Sequence, residues 1–302
     1  MAISRSQLVK ELEPGLNALF GLEYKRYENQ HAEIYTTESS DRAFEEEVML
    51  SGFANAQVKA EGAGVSFDEA QETFTARYTH ETVALAFAIT EEAIEDNLYD
   101  RLASRYTKAL ARSMSNAKQV KAVEPLINGL PNGSFNTGDG VTLFNASHPT
   151  VAGTFSNTLA TAADLNETSL EQSMIDIAAM TDERGLRVAA RGVKMIIPSE
   201  LQFTAERLMK SQGRTGTADN DINAIVSMGM VPQGYRVNNY LTDTDAFYIL
   251  TDVPNGMKMF NRAPLTTAME GDFDTGNVRY KARERYSFGV SDPRGIYGVE
   301  GA

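Results

Sequence analysis

Residues 74 to 122 constrain this chain most, because two strand-like segments there run directly into one very long helical segment. From Phe74 to Tyr78, and again from Val83 to Ile89, side chains alternate in character with period two, which indicates β-strands. At Thr90, a residue that can cap a helix, the period changes, and acidic residues follow where the helix dipole favours them. No glycine or proline interrupts the segment that follows. We therefore predict a helix from Glu91 to Val120, about 45 Å long at 1.5 Å per residue.

The composition sets limits on the class of protein. With 302 residues and 42% hydrophobic content, the chain can bury a good core in one large domain or two subdomains. It has no cysteine, which excludes disulfides, thiolate catalysis and cysteine-based zinc sites. The longest apolar run, Val83 to Ile89, is too short to span a bilayer, and the first residues lack the apolar core of a secretory signal. A net charge of −13 argues against a protein that grips nucleic acid along its length, and it requires any self-association to be specific.

The first third of the chain reads as an arm followed by a loop. Residues 5 to 35 have apolar residues at helical spacing, which Pro14-Gly15 is expected to break in the middle. The acidic residues between Glu38 and Glu47 predict a solvated face. Residues 52 to 73 are small and polar and predict a long, weakly hydrophobic hairpin that returns along 74 to 79. Such a hairpin buries little of itself and needs a partner surface.

The rest of the chain mixes helices and strands. A loop-rich stretch, 128 to 166, precedes a predicted helix from Ser169 to Met180, a buried strand from Val193 to Ile197 and a helix opened by Pro198. Short strands are predicted at Val237, at Phe247 to Leu250 and at Met257 to Phe260. A last long strand, Asn277 to Val290, has a basic side, and its apolar residues suggest a bulge. The pattern predicts an α+β fold in which the long helix and the last strand form one discontinuous domain around an inserted one.

The motifs of catalysis and metal binding are weak. The three histidines, His31, His80 and His148, lack metal spacing and are expected at the surface or in loops. Asp274-Thr275-Gly276 matches an aspartic-protease triplet, but the apolar residues that normally precede it are absent, so a turn is predicted. Gly62-Ala63-Gly64 lacks the remainder of a nucleotide loop. We expect no catalytic, cofactor-binding or metal-binding residue, no cofactor and no enzyme activity.

The long helix carries one organised feature, a basic stripe spaced 4, 3 and 4 residues apart, which places its members on one face. The stripe consists of Arg101, Arg105, Lys108 and Arg112. Apolar residues are predicted on the other side, at Leu98, Leu102, Tyr106, Leu110 and Ala117. Two interpretations stay open at this point: a solvated stripe that backs a core-facing face, or a docking surface for an acidic segment of a neighbouring subunit or for packaged nucleic acid.

Taken in order, several segments resemble the major capsid proteins of tailed bacteriophages with the HK97 fold, especially the Mu-type head subunit. The resemblance covers nearly the whole chain after residue 40, and the ordered set of segments carries it. Those segments are Thr79 to Val83 with Ile89 to Asn97, Leu143 to Pro149, Thr181 to Gly185 with Val193 to Pro198, and Val278 to Tyr286 with Asp292 to Gly298.

The resemblance implies a set of domains and a function. It implies an N-terminal arm (1–45), an extended loop (46–80), a peripheral domain with a long spine helix (81–127 and 277–302) and an axial domain (128–276). It implies a subunit that self-assembles, as pentamers and hexamers, into an icosahedral shell around double-stranded DNA, in the virion and first in the host cytoplasm.

The resemblance also implies partners. They are a separate scaffolding protein, a portal protein, decoration proteins and DNA contacted without sequence specificity, with no membrane. Some members crosslink an extended-loop lysine to a neighbour's asparagine. Lys59 is the one lysine between Arg26 and Lys108, but no asparagine and activating acid can be assigned to it. We therefore group Lys59 with the basic stripe as a candidate inter-subunit contact, without a crosslink.

Two alternatives stay open. The first is an encapsulin-like nanocompartment shell, which has the same fold around an enzyme cargo. The second is a soluble α+β enzyme that acts through carboxylates, for which Asp272 and Asp274 would be the pair.

Overall fold

Two four-stranded sheets organise the chain, and the long helix packs against both. The structure, a computed structural model, describes residues 5–90, 92, 99–213, 221–272 and 276–302, with side chains described from Pro14 in the first helix and from Ala103 in the long one. Among these residues the helices are α1 (Arg5–Arg26), α2 (Tyr99–Ile127), α3 (Glu167–Ala179), α4 (Gln202–Lys210) and α5 (Ala224–Ser227). The strands are β1 (Thr36–Ser39), β2 (Phe44–Leu50), β3 (Glu72–Thr79), β4 (Glu81–Ile89), β5 (His148–Thr150), β6 (Gly153–Phe155), β7 (Gly192–Ile197), β8 (Tyr235–Val237), β9 (Phe247–Thr251), β10 (Met257–Gly271), β11 (Val278–Val290) and β12 (Ile296–Val299).

The first sheet has the strand order β1-β10-β11-β4, and both long helices cover one of its faces. Leu16 and Phe20 of α1 and Leu110 and Met114 of α2 share a core with Tyr280 of β11. On the other face, Tyr78 of β3 packs against Phe260 of β10, while Arg279, Lys281 and Arg283 of β11 are exposed. The predicted strand pair and the long helix that follows it are therefore the centre of this layer.

The first helix runs through Pro14, where the sequence predicted a break. A proline inside a helix removes one backbone hydrogen bond and costs about 3 kcal/mol. Leu16 and Phe20, which follow it directly, are almost fully buried against α2 and β11, and this burial offsets that cost. In the arm, tertiary packing therefore outweighs the low helix propensity of Pro14.

The long helix extends further than predicted and presents a different apolar face. It ends at Ile127 with Pro125 in its last turns, because Val123 and Leu126 are buried in the core beside the second sheet. Its predicted first turn, Glu91 to Leu98, lies outside the described residues except for Glu92. The buried stripe passes through Ala103, Thr107, Leu110, Ala111, Met114, Gln119 and Ala122. Of the predicted apolar side, Leu110 is buried, Tyr106 is half exposed against Phe87 and Ala117 is partly buried, while the side chains of Leu98 and Leu102 are not described.

The last long strand alternates regularly from Val278 to Tyr286, so the bulge predicted from these residues is wrong. Val278, Tyr280, Ala282 and Tyr286 share the buried face, and β11 pairs with β4 in continuous register from Val278 to Tyr286. The irregularities lie in its other partner, β10, whose register shifts between Asn261 and Ala263 and again before Thr266. Each shift leaves one extra residue on β10, which is the definition of a β-bulge.

The second sheet, with the strand order β12-β9-β7-β8, is buried on both faces. Met195 and Phe247 pack under α3, α4 and α5, while Ile196 and Tyr248 pack toward the end of the long helix. Gly298 in β12 lies so close to Phe144 that a Cβ atom would stand 2.5 Å from its ring. The predicted strand at Val193 to Ile197 and the predicted helix at Ser169 to Met180 are confirmed, the latter with an Asn166 capping box.

Two predicted boundaries separate strands that pair. The predicted axial range, 128–276, includes β10, which lies in the first sheet between β1 and β11. The predicted peripheral range, 277–302, includes β12, which pairs with β9 in the second sheet. The domain to which a strand belongs depends on the strands it pairs with in a sheet, and the order of the strands along the chain does not reveal those partners.

Candidate inter-subunit surfaces

An open loop (residues 51–71) projects from the hairpin β2–β3 and leaves its apolar side chains in solvent. The hairpin strands are β2 and β3, not residues 52 to 73 as predicted, and the loop between them has no regular strand. Val58 is 99% exposed and Phe67 is 97% exposed. Lys59, the predicted contact residue, lies exposed in the same loop. A loop with this many uncovered apolar side chains presents a contact surface.

Hydrogen bonds within the loop close its base, and one hydrogen bond connects the loop to the body. The Ser51 backbone N–H donates to Gln71 O at 2.9 Å, and the Ala54 N–H donates to Asp68 Oδ2 at 2.7 Å. The N–H groups of Ala54 and Glu69 lower the pKa of the exposed Asp68 carboxyl. Arg184 Nη2 donates to Glu69 O at 2.5 Å and so ties the far side of the loop to the body.

A buried ion network anchors the hairpin where it leaves the first sheet. Lys258 Nζ lies 2.5 Å from Glu47 Oε1 and 3.2 Å from Glu38 Oε1, and Ser291 Oγ donates to Glu47 Oε2. Burial alone would lower the pKa of Lys258, but these two carboxylates outweigh it and hold that pKa above its ordinary value. Part of the acidic segment predicted as a solvated face therefore has a structural partner, which the spacing of the sequence did not indicate.

The basic stripe of the long helix faces solvent. Arg105, Lys108 and Arg112 are all exposed, opposite the buried stripe, and none forms an ion pair with a residue that the structure describes. The side chain of Arg101 lies outside the described residues, although its backbone belongs to α2. The helix thus brings three of the predicted residues together on one free face, while Lys59 belongs to a separate element.

A second basic surface, which we call the outer face, lies on the side of the first sheet that is opposite the two helices. Arg279, Lys281 and Arg283 are exposed in one row along β11. Exposed residues flank this row on the neighbouring strands, namely the small residues Ala84, Ala86 and Ala88 on β4 and Thr266 and Ala268 on β10, and also Glu270, which lies on β10 opposite Arg279. Because the helices cover the opposite face, the basic stripe and the outer face look away from each other.

All three histidines are buried, although the sequence predicted surface or loop positions. His148 Nδ1 lies 2.6 Å from Asp139 Oδ2, and its Nε2 lies 3.0 Å from Asn157 Oδ1. The Asn157 side-chain amide donates to Leu143 O at 2.7 Å and to Pro293 O at 3.1 Å. Burial would raise the pKa of Asp139, but hydrogen bonds from His148 and Thr137 outweigh it and lower that pKa. This network joins the segment 139–157 to the start of β12 and has a structural role.

Among the described residues, little supports the alternative of an enzyme that acts through Asp272 and Asp274. Asp272 forms an ion pair with the exposed Arg279, and Asp274 lies outside the described residues. In the described ranges, no three side chains of the types His, Cys, Asp or Glu are grouped as metal ligands would be. No helix within those ranges is both long and apolar enough to cross a bilayer.

Sequence reasoning missed the anchoring groups and one member of the outer face. Lys258, Arg294 and Glu183 are buried charged residues, and only their ion-pair partners, which lie far away in the sequence, explain their burial. Arg262 lies at the first bulge of β10, which no period in the sequence indicates. The basic row from Arg279 to Arg285, in contrast, was predicted, because basic residues occupy alternate positions of the predicted strand.

The chain is similar to known proteins in family and in fold. A family model described as phage capsid protein matches residues 72–299. No curated protein sequence matched. Among solved structures, the capsid of an empty GTA particle has a TM-score of 0.57 at 14% identity, with 90% of this chain and 89% of that chain covered.

Two further structures are similar over most of their length. A virus-like particle from Pyrococcus furiosus has a TM-score of 0.54 at 11% identity, covering 95% of this chain and 98% of that chain. The capsid of Myoviridae phage XM1 has a TM-score of 0.54 at 11% identity, covering 89% of each chain. At these identities the likeness concerns the fold, and the predicted α+β fold of HK97-like capsid proteins is confirmed.

Proposed function

The chain belongs to the phage capsid protein family, and from this membership we propose that it is the major head subunit of a tailed phage. As a member of that family it is a structural capsid subunit. We extend this to a subunit of the Mu type that self-assembles, as pentamers and hexamers, into an icosahedral shell around double-stranded DNA. The proposed role is structural and not catalytic.

The observation that carries self-assembly is the open loop on its rigid base. Val58 and Phe67 are almost fully exposed, while the hydrogen bonds between Ser51 and Gln71 and the Glu47–Lys258 ion pair fix the direction of the hairpin. A firmly anchored projection that buries none of its apolar residues gains stability only when another molecule covers it. In a homo-oligomer, every copy offers the same projection and the same receiving surface.

We assign the basic stripe of the long helix to contacts between subunits. Arg105, Lys108 and Arg112 are exposed, and a chain with 41 acidic and 28 basic residues offers carboxylates on every neighbour. Arg101 and Lys59 are assigned to the same role. Packaged DNA is the competing partner for this stripe.

The domain division is part of the proposal. The arm is 1–45, the extended loop is 46–80, and the long helix belongs to a peripheral domain. We propose that the second sheet with α3, α4 and α5 forms the axial domain, with β10 counted in the peripheral domain and β12 in the axial one. A scaffolding protein, a portal and decoration proteins are the proposed partners, and the virion is the proposed location, after assembly in the host cytoplasm.

The decisive experiment is electron microscopy of the purified protein together with its nucleic-acid content. Closed particles with five-fold and six-fold rings are expected. A monodisperse monomer at all accessible concentrations would refute self-assembly. Particles that hold a co-purifying enzyme and no DNA under conditions of phage infection would favour the nanocompartment alternative.

A further inference from the structure

Two arginines at the end of the outer face form no ion pair with any of the residues that the structure describes. Arg262 on β10 and Arg285 on β11 are each partly buried, and the Nε atom of each is buried without a hydrogen-bond acceptor. Neither guanidinium forms an ion pair with a residue that the structure describes. Buried donors without acceptors are costly, so such groups call for an explanation.

The backbone register places the two arginines at neighbouring positions on adjacent strands. Asn261 pairs with Tyr286 and Ala263 pairs with Arg285, so Arg262 is the extra residue of a β-bulge directly beside Arg285. A bulge bends its strand and re-aims one side chain. Pro264, which has no N–H to donate, follows within the second irregularity and keeps the ladder open there.

The groups around this guanidinium pair (Arg262 and Arg285) do not neutralise it. His80 lies nearby, between Ser40 Oγ at 2.9 Å and Ser287 Oγ at 3.0 Å, and the positive charges of the pair add to burial in lowering the pKa of His80. Glu45 is the carboxylate near His80, and its Oε1 accepts a hydrogen bond from Ser40 at 2.7 Å.

We propose that Arg262 and Arg285 form a carboxylate-binding site that receives an acidic side chain from a second copy of this chain. A guanidinium can bind a carboxylate through its two Nη groups in a two-pronged geometry, and the Nη groups of both arginines, unlike their Nε atoms, are not among the buried atoms without a partner. The exposed row Arg279, Lys281 and Arg283 leads to the site along β11. This inference rests on the proposed self-assembly.

A second copy fits the site better than nucleic acid does. The chain carries an excess of 13 negative charges, so any neighbouring copy brings carboxylates at high local concentration. The row is flanked by alanines, a threonine and Glu270, which lies opposite Arg279, and no exposed aromatic ring among the described residues of this face could stack on a base. The flat row of small residues allows an extended protein segment to lie directly on the strands.

Two paired variants test the site. R262Q/R285Q removes both charges, and R262K/R285K keeps the charges without the two-pronged geometry. We expect the glutamine variant to lower the subunit–subunit association constant about tenfold or more and the lysine variant to recover part of it. The melting temperature of the free subunit should not fall in either variant, because the charges are unpaired there.

The occupant can be captured with the single variant R285K. Particles assembled from a mixture of isotopically light and heavy subunits are treated with a carbodiimide, which joins an amine to a contacting carboxylate. Crosslinked peptides that pair position 285 with an aspartate or glutamate and carry mixed isotopes are the expected result. Crosslinks confined to Glu45 of the same chain would overturn the proposal.

Three other outcomes are informative. Normal assembly of R262Q/R285Q would reject the site while leaving the proposed shell function intact. Normal assembly with reduced DNA content would assign the pair to nucleic acid instead. If the wild-type protein itself forms no particles, the proposed function fails first, and the two failures are therefore distinguishable.

Discussion

The open loop gives the sharpest test of self-assembly, through the double substitution Val58→Ser and Phe67→Ser. Both side chains are almost fully exposed, so they contribute nothing to the core of the single subunit. Exposed substitutions of this kind change the free energy of unfolding by about 0.5 kcal/mol or less. The free subunit of the variant should therefore melt like the wild type.

The cost should appear in assembly. Burial of a valine or phenylalanine side chain is worth about 1.5 to 3 kcal/mol, so the pair contributes about 3 to 6 kcal/mol to each contact that covers it. Such a loss weakens association roughly a hundredfold or more. Sedimentation velocity over a concentration series would measure the shift in the concentration at which particles form.

A buried phenylalanine provides the control. Phe144 is fully buried beside Gly298, and Phe144→Ala should cost about 3 to 5 kcal/mol and lower the melting temperature of the subunit itself. An unchanged assembly threshold in the loop variant would show that no neighbour covers Val58 and Phe67. A clear drop in its melting temperature would show that the loop is part of the core.

Three further predictions concern the helix and the buried network. Met114→Asp places a carboxylate in the core between α1 and α2, which should destabilise the subunit by several kcal/mol and make it insoluble. The control Ser113→Asp changes the adjacent, exposed residue and should leave the subunit soluble. The double variant Arg105→Glu/Arg112→Glu should melt like the wild-type subunit but assemble more slowly. High salt should slow assembly of the wild type in the same way, because it screens exposed charges. Normal assembly of the variant with less packaged DNA would instead assign the basic stripe to contacts with the genome. The pKa of Asp139 is held below its ordinary 3.8, so its stabilisation is present above that pH and is lost as pH falls through the lowered value. Asp139→Asn should therefore be less stable than wild type at pH 7, by about 1 to 3 kcal/mol in urea titrations. The gap should close in acid, once the pH lies below the lowered pKa of Asp139. A gap that persists there would contradict this.

Periodicity identified the elements whose partners are close in the chain or whose pattern is regular. The strand pair before residue 90, the strand at Val193 and the alternating row of β11 were readable because each face has a repeating chemical character. The exposed stripe Arg105, Lys108 and Arg112 was readable for the same reason, since 3.6 residues per turn fixes which side chains share a face.

Helix boundaries were less readable. Pro14 and Pro125 suggested ends, but the helices continue through both, because buried neighbours such as Phe20 and Leu126 outweigh the local cost of proline. Tertiary packing also determined which face of α2 is buried, because α2 packs against α1 and against both sheets.

By itself, the sequence determined the α+β class, the order of the main elements, the rod-like helix and the capsid family to which they belong. The tertiary structure alone decided which charges lie side by side: Lys258 with Glu38 and Glu47, Arg294 with Glu183, and Arg262 with Arg285. The physical reason is the range of the interactions. Alternation and helical spacing are set by neighbours a few residues apart, whereas these charges meet through strand register, a bulge and chain crossings that join residues far apart in the sequence.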